Sequence, residues 1–308
     1  LRYARGCGIR ACPDDDLDAA VAAASEADVV VACVGGQSGI DVERDSSGTA
    51  GEALDRAELG LPGRQAALVS RVAATGTPVA VVLISGRPLA VPEVVETANA
   101  TVAAWLPGQA GGAGIADVLL GTDPGGRLPV SLPRTVGQLP VDYRHPPVSD
   151  GEYVFTDAEP LFPFGHGESY AAFSYGELSV SPSQLSTDGS LTASVPVENV
   201  GARSGTEGVQ LYAQHHGGRT VRPVRELVGF QRLELAAGER ATVEFDLSAA
   251  TVATHDSAGN PIVEPGTVDL AVGRSSADFR ARETVELTGD PASPERRPPI
   301  ASSTVTFS

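Results

Sequence analysis

Between Val34 and Gln65 the chain reads VGGQSGIDVERDSSGTAGEALDRAELGLPGRQ, a stretch that gathers Asp41, Glu43, Asp45, Glu52 and Asp55. A carboxyl group held against a substrate serves as general acid when protonated and as general base when ionised. A solvated acidic loop with no chemistry is the plain alternative. Other reactive side chains are poorer candidates. Cys7, Cys12 and Cys33 have no histidine among them to complete a zinc tetrad, so a Cys7–Cys12 disulfide and buried thiols both stay open. His166 lies in Phe164-Gly165-His166-Gly167, where the flanking glycines indicate a tight turn around a structural histidine. Ser85-Gly86-Arg87 has one glycine and no lysine, which falls short of a phosphate-binding loop.

The elements that must position the acidic stretch follow an α/β rhythm. Asp14 to Ala27 reads as an acidic-capped helix and Val29 to Val34 as a buried strand. The cycle repeats with a helix over Leu61 to Thr75, opened by Pro62, and a strand over Val79 to Ile84 (VAVVLI). Thr101 to Leu106 gives a third strand and Ala113 to Leu120 another helix. Each strand runs into a turn at its carboxyl end, which is where open α/β sheets bind ligands. The acidic stretch follows the first strand and is longer than compact domains tolerate in a loop without a function.

From about 121 to 172 the chain is dense in Pro, Gly and aromatic residues, without helical or strand periodicity, and is read as a connector on the surface. Beyond it the period becomes two. Leu191 to Val197, Gly208 to Ala213, Ala241 to Leu247 and Val268 to Val272 are short alternating segments of an antiparallel β-sandwich. The Pro/Ser/Arg-rich run from about Pro291 reads as a flexible tail.

The 308 residues suffice for two cores, and 42% hydrophobic with 20% charged residues fits a globular protein. A net charge of −17 disfavours nucleic acid and anionic membranes as partners, and favours a neutral, hydroxyl-rich substrate. Arg219, Arg222 and Arg225, interleaved with Glu226 and prolines, read as a solvated strand edge rather than a basic patch. There is no methionine and no signal-like leader at Leu1, so the natural N-terminus is expected upstream. Localisation, secreted or cytoplasmic, stays open.

Glu52-Ala53-Leu54-Asp55-Arg56 followed by Leu59-Gly60-Leu61-Pro62-Gly63-Arg64-Gln65 resembles the acid/base loop of glycoside hydrolase family 3. RYARGC, SGRP, WLPGQAG, GGRLPVSLP, FPFGHGESY, VENVG, VQLY, RPVRELVGFQRL and VEPGTVDLAVG resemble further family motifs in their usual order, from residue 1 to about 289. The resemblance implies an (α/β) sandwich domain with a mainly parallel sheet at 1–134 and a connector at 135–175. An all-β fibronectin type III-like sandwich at 176–289 and a flexible tail at 290–308 follow. It also implies that a TIM-like barrel of the same chain precedes Leu1 and supplies an aspartate nucleophile. The full-length enzyme would be a retaining, exo-acting β-glucosidase, with β-xylosidase the alternative, and the 308 residues alone would be inactive.

By the resemblance, Glu52 is the general acid/base. Glu43 is its rival because these loops vary in length, while Asp41 and Asp45 read as loop charges. Asp55 is expected to cap the helix near Pro62, and Arg56 to pair with a loop carboxylate. Ser149-Asp150-Gly151 falls in the connector and is not accepted as a nucleophile, and Trp105 reads as a packing residue rather than a sugar platform. No metal or organic cofactor is implied. The reading from another class is a non-catalytic carbohydrate-binding or interaction module, which would have no reason to keep the glutamate loop.

Overall fold

In the computed structural model, residues 1–39, 48–51, 55–147, 153–298 and 300–307 are described. The chain forms two units. The first comprises 1–120, 132–140 and 155–161; the second comprises 121–131, 141–154 and 162–308.

The first unit is α/β. Its elements run α1 (Asp14–Ser25), β1 (Val30–Gly35), β2 (Ser38–Gly39), β3 (Ala50–Gly51), α2 (Gln65–Ala73), β4 (Val79–Ile84), α3 (Pro92–Thr97), β5 (Ala100–Ala103) and α4 (Gly111–Leu119). Asp14, Asp15 and Asp16 occupy the first turn of α1, where the helix dipole favours negative charge. Strands β1, β4 and β5 form a parallel sheet in that order, with Val34 opposite Leu83 and Ala80 opposite Ala100. The core joins Ala20 and Ala24 of α1, Ala32 and Val34 of β1, Val69 and Val72 of α2, and Val79, Val81 and Leu83 of β4.

Helix α2 begins later than its sequence suggests. Gly63 adopts φ +63°, outside the helical region, and Arg64 is the N-cap with no side-chain cap, so Asp55 does not serve as one. The third strand stops at Ala103, just before Trp105 turns with φ +53°. Helix α3 was not foreseen; at six residues it is too short to show a period, although Pro92 at its start suits a first helical turn. Cys7 and Cys12 are joined in a disulfide, and Cys33 is a free, exposed thiol.

The second unit is a β-sandwich. Its strands are β6 (Phe173–Tyr175), β7 (Ser179–Ser181), β8 (Gln184–Ser186), β9 (Ser190–Asn199), β10 (Gly205–His216), β11 (Glu226–Leu235), β12 (Arg240–Ser248), β13 (Thr254–His255), β14 (Pro261–Ile262), β15 (Gly266–Gly273), β16 (Phe279–Thr288) and β17 (Ser302–Phe307). One sheet has the order β11-β10-β15-β16-β8, the other β17-β12-β9-β6, and β7 pairs with β9. Alternate residues face inward, as Ala241, Val243, Phe245 and Leu247 of β12 show by their burial. They meet Val209 and Leu211 of β10 and Leu270 and Val272 of β15 in one core.

Three expectations need correction. The flexible tail at 290–308 contains β17, which pairs with β12 from Ala241↔Phe307 to Asp246↔Ser302 and packs Val305 on the core. The prolines before it conceal an alternating STVTF segment. The connector at 135–175 is not one spacer, since stretches of 132–161 alternate between the two units. GGRLP, just before it, and FPFGHGESY, within it, lock onto each other: Leu128 N donates to the His166 carbonyl and Gly165 N to the Leu128 carbonyl, each at 2.8 Å. Arg127 then reaches the fully buried Glu207 of β10 at 2.8 Å. Finally, Arg219 is exposed as a solvated edge would be, but Arg222 and Arg225 are not. The Arg222 side chain is only 8% exposed beside Glu264, while Arg225 donates to the Ser276 carbonyl and lies over the Phe279 ring.

Candidate active site

The carboxyl ends of β1, β4 and β5 set the frame from which the acidic loop departs. At the exit of β1, Gly35 passes so close to β4 that a Cβ on it would overlap the Ile84 carbonyl oxygen, so only glycine fits. Gln65, the last residue of the LGLPGRQ motif, takes hold of this point. Its buried side chain accepts from Gly35 N at 2.7 Å and donates to Gly35 O at 2.8 Å, and its amide also reaches the Pro62 carbonyl at 3.2 Å. An amide supplies one acceptor and two donors, which is what a backbone N–H and C=O pair with an extra carbonyl requires.

Farther along, the loop is drawn together. Thr49 N donates to the Gln37 carbonyl at 2.8 Å, Gln37 N donates to Thr49 Oγ1 at 2.9 Å, and β2 pairs in parallel with β3. Arg10 donates to the Gly48 carbonyl. Arg56 donates to the Gly60 carbonyl at 2.6 Å, so among the described residues its role in pinning the loop runs through backbone rather than through a carboxylate. Burial and the nearby Arg87 guanidinium both lower the pKa of Arg56.

The second strand end is an internally closed turn: Ser85 Oγ donates to the Arg87 carbonyl at 2.9 Å, and Ser85 N donates to the Trp105 carbonyl at 3.1 Å. Trp105 is half-buried. His166 belongs to the second unit, where its ring stacks on Phe162 at 4.8 Å and burial lowers its pKa, as a structural histidine would. Glu52, Glu43, Asp41, Asp45 and Ser149-Asp150-Gly151 lie outside the described residues. The structure therefore brings together the frame, Gln65, Arg56 and Arg87, and the sequence places Glu52 directly after β3. The Gln65 bracket was not anticipated as a contact; its one signal was its fixed place in the motif.

Residues 5–170 match the Glycosyl hydrolase family 3 C-terminal domain, and residues 207–276 match the Fibronectin type III-like domain. The chain belongs to glycosyl hydrolase family 3. Among relatives of this family 3 chain, a beta-xylosidase of Formosa agariphila is 38% identical over 94% of the chain and 39% of its own length. A periplasmic beta-glucosidase of Salmonella typhimurium is 39% identical over 86% of the chain and 35% of its own length. A solved β-glucosidase from Erythrobacter marinus superposes with a TM-score of 0.86 at 34% identity, covering 93% of this chain and 41% of that one. The chain thus spans less than two fifths of the length of these two curated relatives. The parallel α/β sheet and the fibronectin type III-like sandwich are those expected of the family.

Proposed function

We propose that this chain is the C-terminal part of a retaining, exo-acting β-glycosidase that removes terminal β-D-glucosyl residues, with Glu52 as its general acid/base. The observation that carries this reading is the loop frame. Both flanks of the acidic stretch are fastened at the carboxyl edge of a parallel sheet, by Gln65 on Gly35 and by the β2–β3 pair, and Glu52 follows β3 in sequence.

Retaining hydrolysis uses two carboxyl groups about 5–5.5 Å apart across the glycosidic bond. One attacks the anomeric carbon. The other donates a proton to the departing oxygen, then removes one from the water that releases the sugar. Glu52 takes the second part, and an aspartate on a preceding barrel of the same chain takes the first. The substrate is a β-linked oligosaccharide or glycoside, neutral as the charge of −17 favours. A β-xylosidase is the second reading, favoured by the Formosa agariphila relative, which matches at nearly the same identity as the beta-glucosidase.

The test uses the full-length enzyme. Glu52→Ala is expected to slow hydrolysis of unactivated disaccharides by about 10²–10⁴, to spare activated aryl glycosides, and to regain rate with azide. If Glu43→Ala shows that pattern and Glu52→Ala does not, the acid/base is Glu43.

A further inference from the structure

Residues 7–12 of the first unit form a small ring, closed by the Cys7–Cys12 disulfide with the two Cα atoms 4.6 Å apart. Within it the chain doubles back so closely that a Cβ on Gly8 would stand 2.7 Å from the Ala11 carbonyl oxygen. The ring is seated against α2 and the turn that leads into that helix. A Cβ on Gly6, where the chain enters the ring, would meet the Leu68 side chain at 2.8 Å, and one on Gly63 would stand 2.8 Å from the Ile9 carbonyl oxygen. Gly6 and Gly63 adopt φ +67° and +63°, a conformation that glycine takes without strain. Arg64 ties the other end of the ring, donating from Nη1 to the Cys12 carbonyl at 3.1 Å and to the Asp14 carboxylate at 2.8 Å.

From this seat Arg10 reaches the other flank of the acidic stretch. Its guanidinium donates to the carbonyl of Gly48, a buried residue. Thr49 follows, its amide donating to the Gln37 carbonyl at 2.8 Å, then β3, and Glu52 is the next residue in sequence. The ring therefore holds the chain on both sides of Glu52, at Gly48 before it and at Gly63 and Arg64 after it. An arginine on an open length of chain loses backbone freedom when it makes such a bond. On a cross-linked ring much of that freedom is already gone, so the same hydrogen bond holds more firmly.

We propose that Arg10 is a positioning residue for the acid/base step, and that the Cys7–Cys12 disulfide is a redox-sensitive brace that keeps it on Gly48. A dithiol reductant opens the brace: it gives two electrons and two protons to the sulfur–sulfur bond, leaves Cys7 and Cys12 as thiols, and is itself oxidised to a disulfide. The consequence for catalysis rests on the glycosidase reading; the hold on Gly48 does not.

The experiment separates the cross-link from the arginine with two variants, Cys7→Ser combined with Cys12→Ser, and Arg10→Met. Amide exchange at Thr49 of the 308-residue chain is followed by NMR, with Val81 and Val82 of β4 as references. Dithiothreitol on the unsubstituted chain, and each variant without it, should speed exchange at Thr49 about tenfold, the value of one hydrogen bond, and leave β4 unchanged. Because dithiothreitol acts on the chain already folded, this arm does not depend on the variants folding. Unchanged exchange at Thr49 overturns the brace, and so does equal acceleration in β4, which would mean that the disulfide stabilises the whole unit. In the full-length enzyme the same changes should lower kcat on unactivated disaccharides about tenfold, hold KM, and spare activated aryl glycosides. Arg10→Lys, which keeps a donor, should recover part of the rate. No loss, or equal loss on both substrates, overturns the positioning role. If opening the ring gives this leaving-group dependence and Glu52→Ala does not, the brace stands and only the Glu52 reading fails.

Discussion

In the α/β unit a motif residue is fastened by an uncharged amide, whereas in the sandwich a motif residue is fastened by buried charge. Gln65 holds Gly35 through its two amide atoms. Arg127 of GGRLP holds Glu207, a carboxylate with no exposure, and Arg274 approaches the same carboxylate at 3.5 Å. A neutral bracket costs little to bury and is indifferent to pH and salt. A buried ion pair recovers its desolvation cost only while both partners are present. The frame of the acidic loop therefore rests on the less conditional fastening, and the sandwich on the one that fails harder when broken.

Removing the buried carboxylate is the strongest way to break this contrast. Glu207→Ala leaves the guanidinium of Arg127 without its carboxylate partner and should cost about 3–5 kcal/mol, confined to the sandwich. Trp105, the sole tryptophan, lies in the α/β unit and reports that unit by fluorescence, while circular dichroism follows the β-rich remainder. The two signals should separate on heating the variant; if they fall together, the units melt as one and the contrast fails. Gln65→Leu comes next. It leaves the Gly35 N–H and C=O unpaired in a buried place, costs about 2–4 kcal/mol, and should move the Trp105 transition first. Mild acid should give the smallest effect. Both histidines whose pKa values burial lowers below the ordinary 6.5, His166 and His215, lie in the sandwich. The unfolded chain then binds protons below pH 6.5 that the folded chain does not. Their contribution to stability is full above pH 6.5 and is lost as pH falls below it. The sandwich transition should drop over that range while the Trp105 transition holds; a uniform drop would refute the assignment.

How much of this was legible in the sequence depended on distance along the chain. Val79 to Ile84 is apolar throughout and reads as a buried strand with the bounds the structure gives it. Strands β9, β10, β12 and β15 announced themselves by alternation. Helix α3 is too short to show a period, and β17 follows prolines that suggest disorder. Buried charge was the least visible feature: Arg222 reads as solvated until Glu264, 42 residues away, is brought beside it, and Gln65 finds Gly35 across 30 residues. The family resemblance located the motif containing Gln65 but gave no contact for it. Glu52 itself is known from sequence alone.

The parallel pairing of Ser38–Gly39 with Ala50–Gly51 closes the intervening chain into a ring whose ends are fixed. Ala50–Gly51 is thereby held in register with the chain that leaves β1, and Glu52 is the next residue in sequence. Such a clasp ties the start of the segment carrying Glu52 to the exit of the first strand rather than to the length of chain between them.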